Sequence, residues 1–180
     1  MAQFVAFAPG VEVNGETVLS VVAGLAGSEA MARQILAEVG IADPQPGKWY
    51  RQQAWLDAFK RIAEEVGPRT LQNIGKTIPE NAQWPPTVNS IETALPSIDV
   101  AYHMNHRGGD IGSYAYQKTG DRTARMVCRN PYPCEFDHGI VMSVAKRFKP
   151  AGVAAVNTMH DNSQPCRSAG GDSCTYLVQW

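Results

Sequence analysis

The chain has 180 residues, and its 16 basic and 17 acidic side chains leave a net charge of −1. This length suffices for one domain with a complete apolar core. The near-zero charge and the lack of a basic run argue against direct binding to nucleic acid. Because the N-terminus lacks a signal-peptide pattern and no apolar run is long enough to span a membrane, we expect a cytoplasmic protein without a membrane span.

The first half of the chain has the apolar periodicity of helices. Val18, Val22 and Leu25 recur at helical spacing. Ser28 is suited to cap a second helix. We expect Pro79 to end the fourth helix, because proline lacks a backbone N–H. The third, fourth and fifth helices are predicted from the same spacing over residues 55–66, 71–78 and 88–102.

After Gly108 and Gly109 the pattern changes to short strands. We predict an α+β fold in which the N-terminal helices pack on an antiparallel sheet of β-β-α-β-β order. The chain is expected to form a single domain, residues 1–180, with a helical half, residues 1–108, and a second half, residues 109–180. In the second half we predict a hairpin of strands 112–117 and 123–129, a helix over 136–148, and a second hairpin of strands 153–160 and 174–180.

All four cysteines lie in the last third of the chain. In a reducing compartment, clustered thiols bind metal or do chemistry more often than they form disulfides. Zinc prefers four tetrahedral nitrogen or sulfur ligands. Disulfides and simple burial of the thiols are the alternatives. We therefore predict a zinc site that staples the C-terminal hairpin to a helix, with the ligands Cys128, Cys134, Cys166 and Cys174.

Local geometry supports three of these ligands. Cys134 opens the last predicted helix, where free amides and the helix dipole favour a thiolate. Cys166 and Cys174 flank a Gly-Gly turn that lets both sulfurs converge. A closed set of four ligands would be structural, whereas three thiolates and a water would leave a position open for chemistry. Cys128 is the expected fourth ligand, and its substitutes are Glu135, His138 and His160.

The cysteine segments resemble those of a known family. The run Cys134-Glu-Phe-Asp-His-Gly139 before a helix, and the later Cys-x7-Cys pair before a short strand, look like the C-terminal half of the vinyl-4-reductase-like domain. That family includes the sensor domains of phenol- and xylene-responsive activators. The resemblance covers residues 110–180 and implies zinc held by Cys134, Cys166 and Cys174. The family's fourth ligand is an acidic residue upstream, and nothing acidic stands at the matching distance here.

The resemblance also implies a type of function. The fold would be shared with small-molecule sensors and, more distantly, with haem-based gas sensors and vesicle-tethering subunits that hold a lipid chain. Such proteins bind an apolar molecule between helices and sheet, and they dimerise. We therefore expect a homodimer that binds a small apolar or aromatic ligand, although fold alone does not fix function.

Residues near the expected helix–sheet junction are candidates for the ligand pocket. Trp84, Tyr102 and Tyr116 combine an apolar ring with a polar tip. His106, at the end of the fifth helix, is a further candidate for a ligand contact. Core packing is the alternative for the aromatic residues, and satisfaction of the helix C-terminus is the alternative for His106. Prolines on both sides of Tyr132 predict an extended lead-in to the last helix.

The sequence contains no recognisable catalytic motif. It lacks a Gly-x-Ser-x-Gly elbow, an HExxH helix, a Walker loop and a dinucleotide fingerprint, and no acid–base pair stands out. We therefore predict a non-catalytic sensor-type domain that binds a small molecule and carries a structural zinc site. The alternatives are an enzyme, either reductase-like or an open-site zinc catalyst, a haem- or lipid-binding protein, and a scaffold.

Overall fold

The computed structural model describes residues 3–25 and 27–180. Within these ranges the helices are α1 Gly15–Gly24, α2 Glu29–Glu38, α3 Gln52–Glu65, α4 Pro68–Asn81, α5 Ile91–Met104 and α6 Cys134–Arg147. The strands are β1 Glu12–Asn14, β2 Trp49–Arg51, β3 His106–Arg107, β4 Ser113–Gly120, β5 Thr123–Arg129, β6 Asn157–His160 and β7 Cys174–Gln179. No helix in the described part is long and apolar enough to cross a membrane. The predicted α+β class is confirmed, with six helices and antiparallel sheets.

A small sheet in the first half of the chain was not predicted. It has the strand order β2-β1-β3, and both pairings are antiparallel. Its strands are two or three residues long, too short for alternation of polar and apolar residues to be visible in the sequence. The register pairs Val13 with His106. This sheet therefore fixes the backbone of His106 directly after the end of α5.

The larger sheet has the order β4-β5-β7-β6, with all neighbours antiparallel. Helix α6 lies between β5 and β6 in the chain. Alternate residues of the strands are buried, as expected for a sheet with one covered face. On β4, β5 and β7 the buried side chains include Tyr114, Met126, Cys128, Tyr176 and Val178. This covered face meets the helices that enclose the candidate site.

Helices α4 and α6 pack with their backbones unusually close together, at two glycines. A Cβ atom on Gly75 would lie 2.1 Å from the Phe136 carbonyl oxygen, and one on Gly139 would lie 2.2 Å from the Gln72 carbonyl oxygen. No heavier side chain fits at either position without displacement of the backbone. The two glycines therefore set the distance between two walls of the site.

Helix α4 continues past Pro79 to Asn81, so the expectation that Pro79 ends it is wrong. Side chains from elsewhere satisfy the last carbonyls of the helix. Trp84 donates its indole N–H to the Pro79 oxygen at 3.0 Å. Arg147 on α6 donates to the same oxygen at 3.1 Å and to the Glu80 oxygen at 3.2 Å. These donors occupy carbonyls that the end of a helix leaves without intrahelical partners.

Candidate ligand pocket and thiol cluster

A cavity of about 420 Å³ lies between the C-terminal end of α4, α5, α6 and the segment 82–88. This volume falls in the range of pockets that hold small molecules. The residues that line its apolar walls include Ile78, Trp84, Val88, Ile98, Phe136, Ile140 and Val144. Val100 and Met104 also line the cavity, with 61% and 73% of their surface exposed, and therefore mark its mouth.

None of the described residues that line the cavity carries a formal charge. The lining contains no Asp, Glu, Lys or Arg, and its one imidazole belongs to His106. Burial lowers the pKa of His106 to about 4, so the ring is neutral at pH 7. Burial also raises the pKa of Tyr102, Tyr114 and Tyr132, which keeps their hydroxyls protonated. The cavity therefore offers neutral donors and acceptors in an apolar shell.

The inner end of the cavity is formed by its buried residues with polar groups, Tyr102, His106, Tyr114 and Tyr132. His106 is 7% exposed, and its Nε2 lies 2.7 Å from the Tyr132 hydroxyl. The Tyr102 hydroxyl donates to the Ile111 carbonyl oxygen at 2.5 Å. The Tyr114 hydroxyl donates to the Asp137 carboxylate at 2.5 Å. Each of these hydroxyls already has a protein partner, so the inner end is ordered before a ligand arrives.

Three of the four predicted ligand contacts line this cavity: Trp84, Tyr102 and His106. Tyr116 does not line it, and its buried hydroxyl lacks a hydrogen-bond partner among the described residues. Tyr114, two residues earlier on the same face of β4, takes the position by the cavity. Period-2 alternation identifies the face of a strand but not which of its residues reaches a given cavity.

The role of Tyr132 was missed by sequence reasoning. The extended lead-in predicted from the prolines is present only at Pro133, because residues 130–132 form a bend in which the Tyr132 N–H donates to the Asn130 side chain at 2.9 Å. Tyr132 is 1% exposed and lines the cavity. Its ring packs edge-on against Phe59 at 5.7 Å and contacts Phe136 at 5.1 Å between centroids. A bulky aromatic residue in a rigid segment next to a helix start was the signal available for this role.

A second cluster lies at the N-terminal end of α6. The Cys134 sulfur is 3.5 Å from that of Cys166 and 3.0 Å from that of Cys174. His160 completes the group, since one ligand atom from each of the four side chains lies within 4.8 Å of the others. The structure thus brings together three of the four predicted thiols and one of the predicted substitutes. Three sulfurs and an imidazole are a donor set suited to a tetrahedral cation.

Cys128 is not part of this cluster. It is fully buried on β5, opposite Cys174 in the strand register, and burial raises the pKa of its thiol well above the usual value. The substitute His138 lies on α6, where its imidazole contacts the Thr158 carbonyl oxygen at 3.0 Å and Gln72 at 3.1 Å. Both side chains therefore serve the packing of the sheet and helix.

A buried ion pair lies beside the thiol cluster. Arg167 and Asp137 are 2% and 0% exposed and form a direct salt bridge. Desolvation raises the pKa of Asp137, while Arg167, Tyr114 and Asn130 act in the opposite direction. Arg167 also contacts the Cys174 sulfur through its Nε at 3.5 Å. The ion pair therefore connects a tyrosine of the cavity wall, Tyr114, with the thiol cluster.

The contact between Cys134 and Cys174 shifts their pKa values in opposite directions. A hydrogen bond from the Cys134 thiol, together with the nearby Arg167 guanidinium, lowers the pKa of Cys174 below its usual value. The same contact with Cys174, together with burial, raises the pKa of Cys134. Cys174 is therefore the sulfur in the cluster best suited to carry a negative charge.

This arrangement of helices and sheets is the H-NOX fold. No family model matches the chain, and no curated protein matches its sequence. Among solved structures, it is similar to one from work on haem distortion in the H-NOX family, with a TM-score of 0.69, 13% identity, and coverage of 93% of this chain and 94% of that chain. An H-NOX protein from S. oneidensis in its Fe(II)NO state is similar with a TM-score of 0.69 and 11% identity, and the match covers 92% of this chain and 98% of that chain. An oxygen-binding H-NOX domain related to soluble guanylate cyclases is similar with a TM-score of 0.66 and 14% identity, and the match covers 92% of this chain and 94% of that chain.

These comparisons contradict two predictions. The similar structures are H-NOX domains, so the assignment to the vinyl-4-reductase-like family is wrong. They come from work on haem and its gas complexes, so zinc as the cofactor is wrong as well. Both predictions rested on a cysteine pattern in one local segment, which does not determine the fold of the whole chain or its cofactor. At 11–14% identity, the similarity establishes the fold alone.

Proposed function

We propose that this chain is a non-catalytic, sensor-type domain that binds one small, uncharged, mostly apolar molecule in the cavity between α4, α5 and α6. The observation that carries this proposal is the absence of any charged side chain among the described residues of the lining. A charged ligand would lose its hydration in such a cavity without gaining an ionic partner, which is costly. An apolar ligand with one neutral polar group meets no such cost.

Haem is a second candidate ligand. The H-NOX domains that share this fold come from work on haem proteins. In this chain, His106 supports this candidate because its Nδ1 is held by the Tyr102 carbonyl oxygen at 2.8 Å, which leaves Nε2, the atom that the Tyr132 hydroxyl contacts at 2.7 Å, as the nitrogen that could coordinate. A histidine oriented in this way is a common axial ligand. The lining offers no Lys or Arg for the two propionates of haem, which is why the uncharged ligand stands first.

The thiol cluster is proposed as a separate site for a single thiophilic cation, with Cys134, Cys166, Cys174 and His160 as its ligands. The convergence of these four donors within 4.8 Å supports it. Elemental analysis of the purified protein should give one equivalent of metal in the wild type and in Cys128→Ser, and less than a tenth of that in Cys174→Ser. Equal metal content in all three proteins would contradict the proposal.

The pocket proposal can be tested with the neutral fluorophore N-phenyl-1-naphthylamine, whose emission rises in apolar surroundings. We expect saturable binding at one site per chain in the wild type. Ile140→Phe adds bulk to a residue that lines the cavity and should weaken binding at least tenfold. Lys146→Phe adds the same ring to an exposed position of the same helix and should leave binding unchanged. No saturable binding in the wild type, or equal binding in both variants, would contradict the proposal.

Haem is tested on the same protein by adding haemin and following the Soret band. Coordination by His106 should give a band that is lost in His106→Ala, whereas non-specific haem binding should be equal in the two proteins. The predicted homodimer remains a prediction, which sedimentation equilibrium can check. The single domain of residues 1–180 also remains a prediction, to be checked by limited proteolysis.

A further inference from the structure

The hydrogen bonds of His106 define its tautomer. Its Nδ1 lies 2.8 Å from the Tyr102 carbonyl oxygen, which can only accept, so Nδ1 carries the proton. In the neutral ring, Nε2 is then an acceptor. The Tyr132 hydroxyl lies 2.7 Å from Nε2 and donates to it. The lone pair of the imidazole is therefore already used by a residue of the chain itself.

Tyr132 also has an alternative acceptor. The side chain of Gln52 is fully buried, and its amide nitrogen lies 3.4 Å from the Tyr132 hydroxyl. The Gln52 Oε1 atom is buried without a hydrogen-bond partner among the described residues. A half-turn of the Gln52 amide would offer that oxygen to the Tyr132 hydroxyl and release the lone pair of His106. This second arrangement pairs the Gln52 oxygen but leaves the Gln52 amide nitrogen and the His106 Nε2 without partners, so it makes fewer hydrogen bonds than the first, and the bond from Tyr132 to His106 is favoured.

We infer that Tyr132 is the specificity-determining residue of the cavity, because its hydroxyl holds the lone pair of His106 and so withholds the imidazole from incoming ligands. With the bond to His106 intact, the cavity accepts molecules that do not need a nitrogen ligand. With the hydroxyl removed, the same imidazole is free to coordinate a metalloporphyrin. This inference rests on the proposed function, since it assumes that the cavity binds a small molecule.

The test compares haemin binding in the wild type, Tyr132→Phe and the control Tyr50→Phe. Tyr132→Phe removes the hydroxyl that bonds to Nε2 and should tighten histidine-coordinated haem binding by about tenfold, the factor that corresponds to one hydrogen bond of ~1.4 kcal/mol. Tyr50→Phe removes a tyrosine hydroxyl that lies outside the cavity lining and accepts from the Gln45 backbone N–H at 2.8 Å. It should leave haem binding as in the wild type. In the double variant Tyr132→Phe/His106→Ala the gain should vanish.

Two results would overturn the inference. One is wild-type haem binding through His106 that is as tight as in a folded Tyr132→Phe protein. The other is tighter binding in Tyr132→Phe that persists without His106. If Tyr132→Phe does not fold, imidazole nitrogen shifts of the wild type still decide the matter. We expect a proton on Nδ1 and a hydrogen-bonded Nε2, and a proton on Nε2 would overturn the inference.

These outcomes are distinct from a failure of the proposed function. If N-phenyl-1-naphthylamine binds in the cavity but Tyr132→Phe gains no haem affinity, the result supports the proposed function and contradicts the role inferred for Tyr132. If the probe does not bind in any variant, the proposed function falls. A gain of histidine-coordinated haem in Tyr132→Phe would then still support the role of Tyr132 in controlling the imidazole.

Discussion

The cavity and the thiol cluster differ in how they manage buried polar groups. In the cavity, the described polar side chains are neutral and the walls are apolar, so a ligand meets little competition from charges. The thiol cluster packs sulfurs, an arginine and a carboxylate into a small volume around the start of α6. The first arrangement suits reversible binding, because its groups are already satisfied. In the second, buried groups depend on one another, because removal of Arg167 or Asp137 leaves the other buried without its ionic partner.

Of the changes considered, breaking the buried ion pair beside the thiol cluster should lower the free energy of unfolding the most. Arg167→Met leaves the Asp137 carboxylate buried without its cationic partner. We expect a loss of roughly 3–5 kcal/mol in the free energy of unfolding, as measured by urea denaturation. The matched control is Arg129→Met, which breaks an exposed ion pair with Asp110 and should cost less than about 1 kcal/mol. Similar losses in both variants would show that burial of the pair is not decisive.

Protonation of His106 at low pH should lower the free energy of unfolding of the protein. Burial lowers the pKa of this group from 6.5 to about 4 in the folded protein. The unfolded chain therefore binds more protons between these values, so the stabilisation is complete above pH 6.5 and is lost as the pH falls toward 4. We expect about 3 kcal/mol less stability at pH 4 than at pH 7 from this group alone. Urea titrations should show this difference between the wild type and His106→Gln, and parallel pH profiles of the two proteins would contradict it.

A methyl group added between α4 and α6 should lower the stability by a smaller amount and should also weaken binding in the cavity. Gly75→Ala places its Cβ atom against the Phe136 carbonyl oxygen, and Phe136 lines the cavity. We expect a loss of about 1–3 kcal/mol in stability from overpacking, together with weaker probe binding. Thr70→Ala, on the same helix but only partly buried, should change stability by less than about 1 kcal/mol. Stability unchanged in Gly75→Ala would mean that the helices can separate without cost.

The thiol cluster was predicted from the sequence more completely than the cavity. Helical periodicity located all six helices of the described residues to within a few residues, and the strands of the large sheet were predicted as two hairpins. Cys134, Cys166 and Cys174 were found together because cysteines are rare and their spacing is visible. The fourth member, His160, was one of several candidates, since only the β6–β7 pairing brings it to the sulfurs.

The cavity was harder to predict because its residues come from distant segments. Trp84 and Tyr102 were predicted from their place near the helix–sheet junction, and His106 from its place at the end of the fifth helix. Tyr132 was not, since its role depends on a hydrogen bond to a residue 26 positions away in sequence. The small sheet that positions His106 was also missed, because strands of two or three residues leave no pattern.

The most direct measurement of ligand binding in the cavity is a methyl NMR titration of the wild type with N-phenyl-1-naphthylamine. We predict saturable shifts of the Ile98, Ile140 and Val144 methyl groups, all of which line the cavity. The methyl groups of Leu177, on the partly exposed face of β7, should not move. Shifts confined to Leu177 and its neighbours, with the cavity methyl groups unchanged, would contradict the proposed binding site.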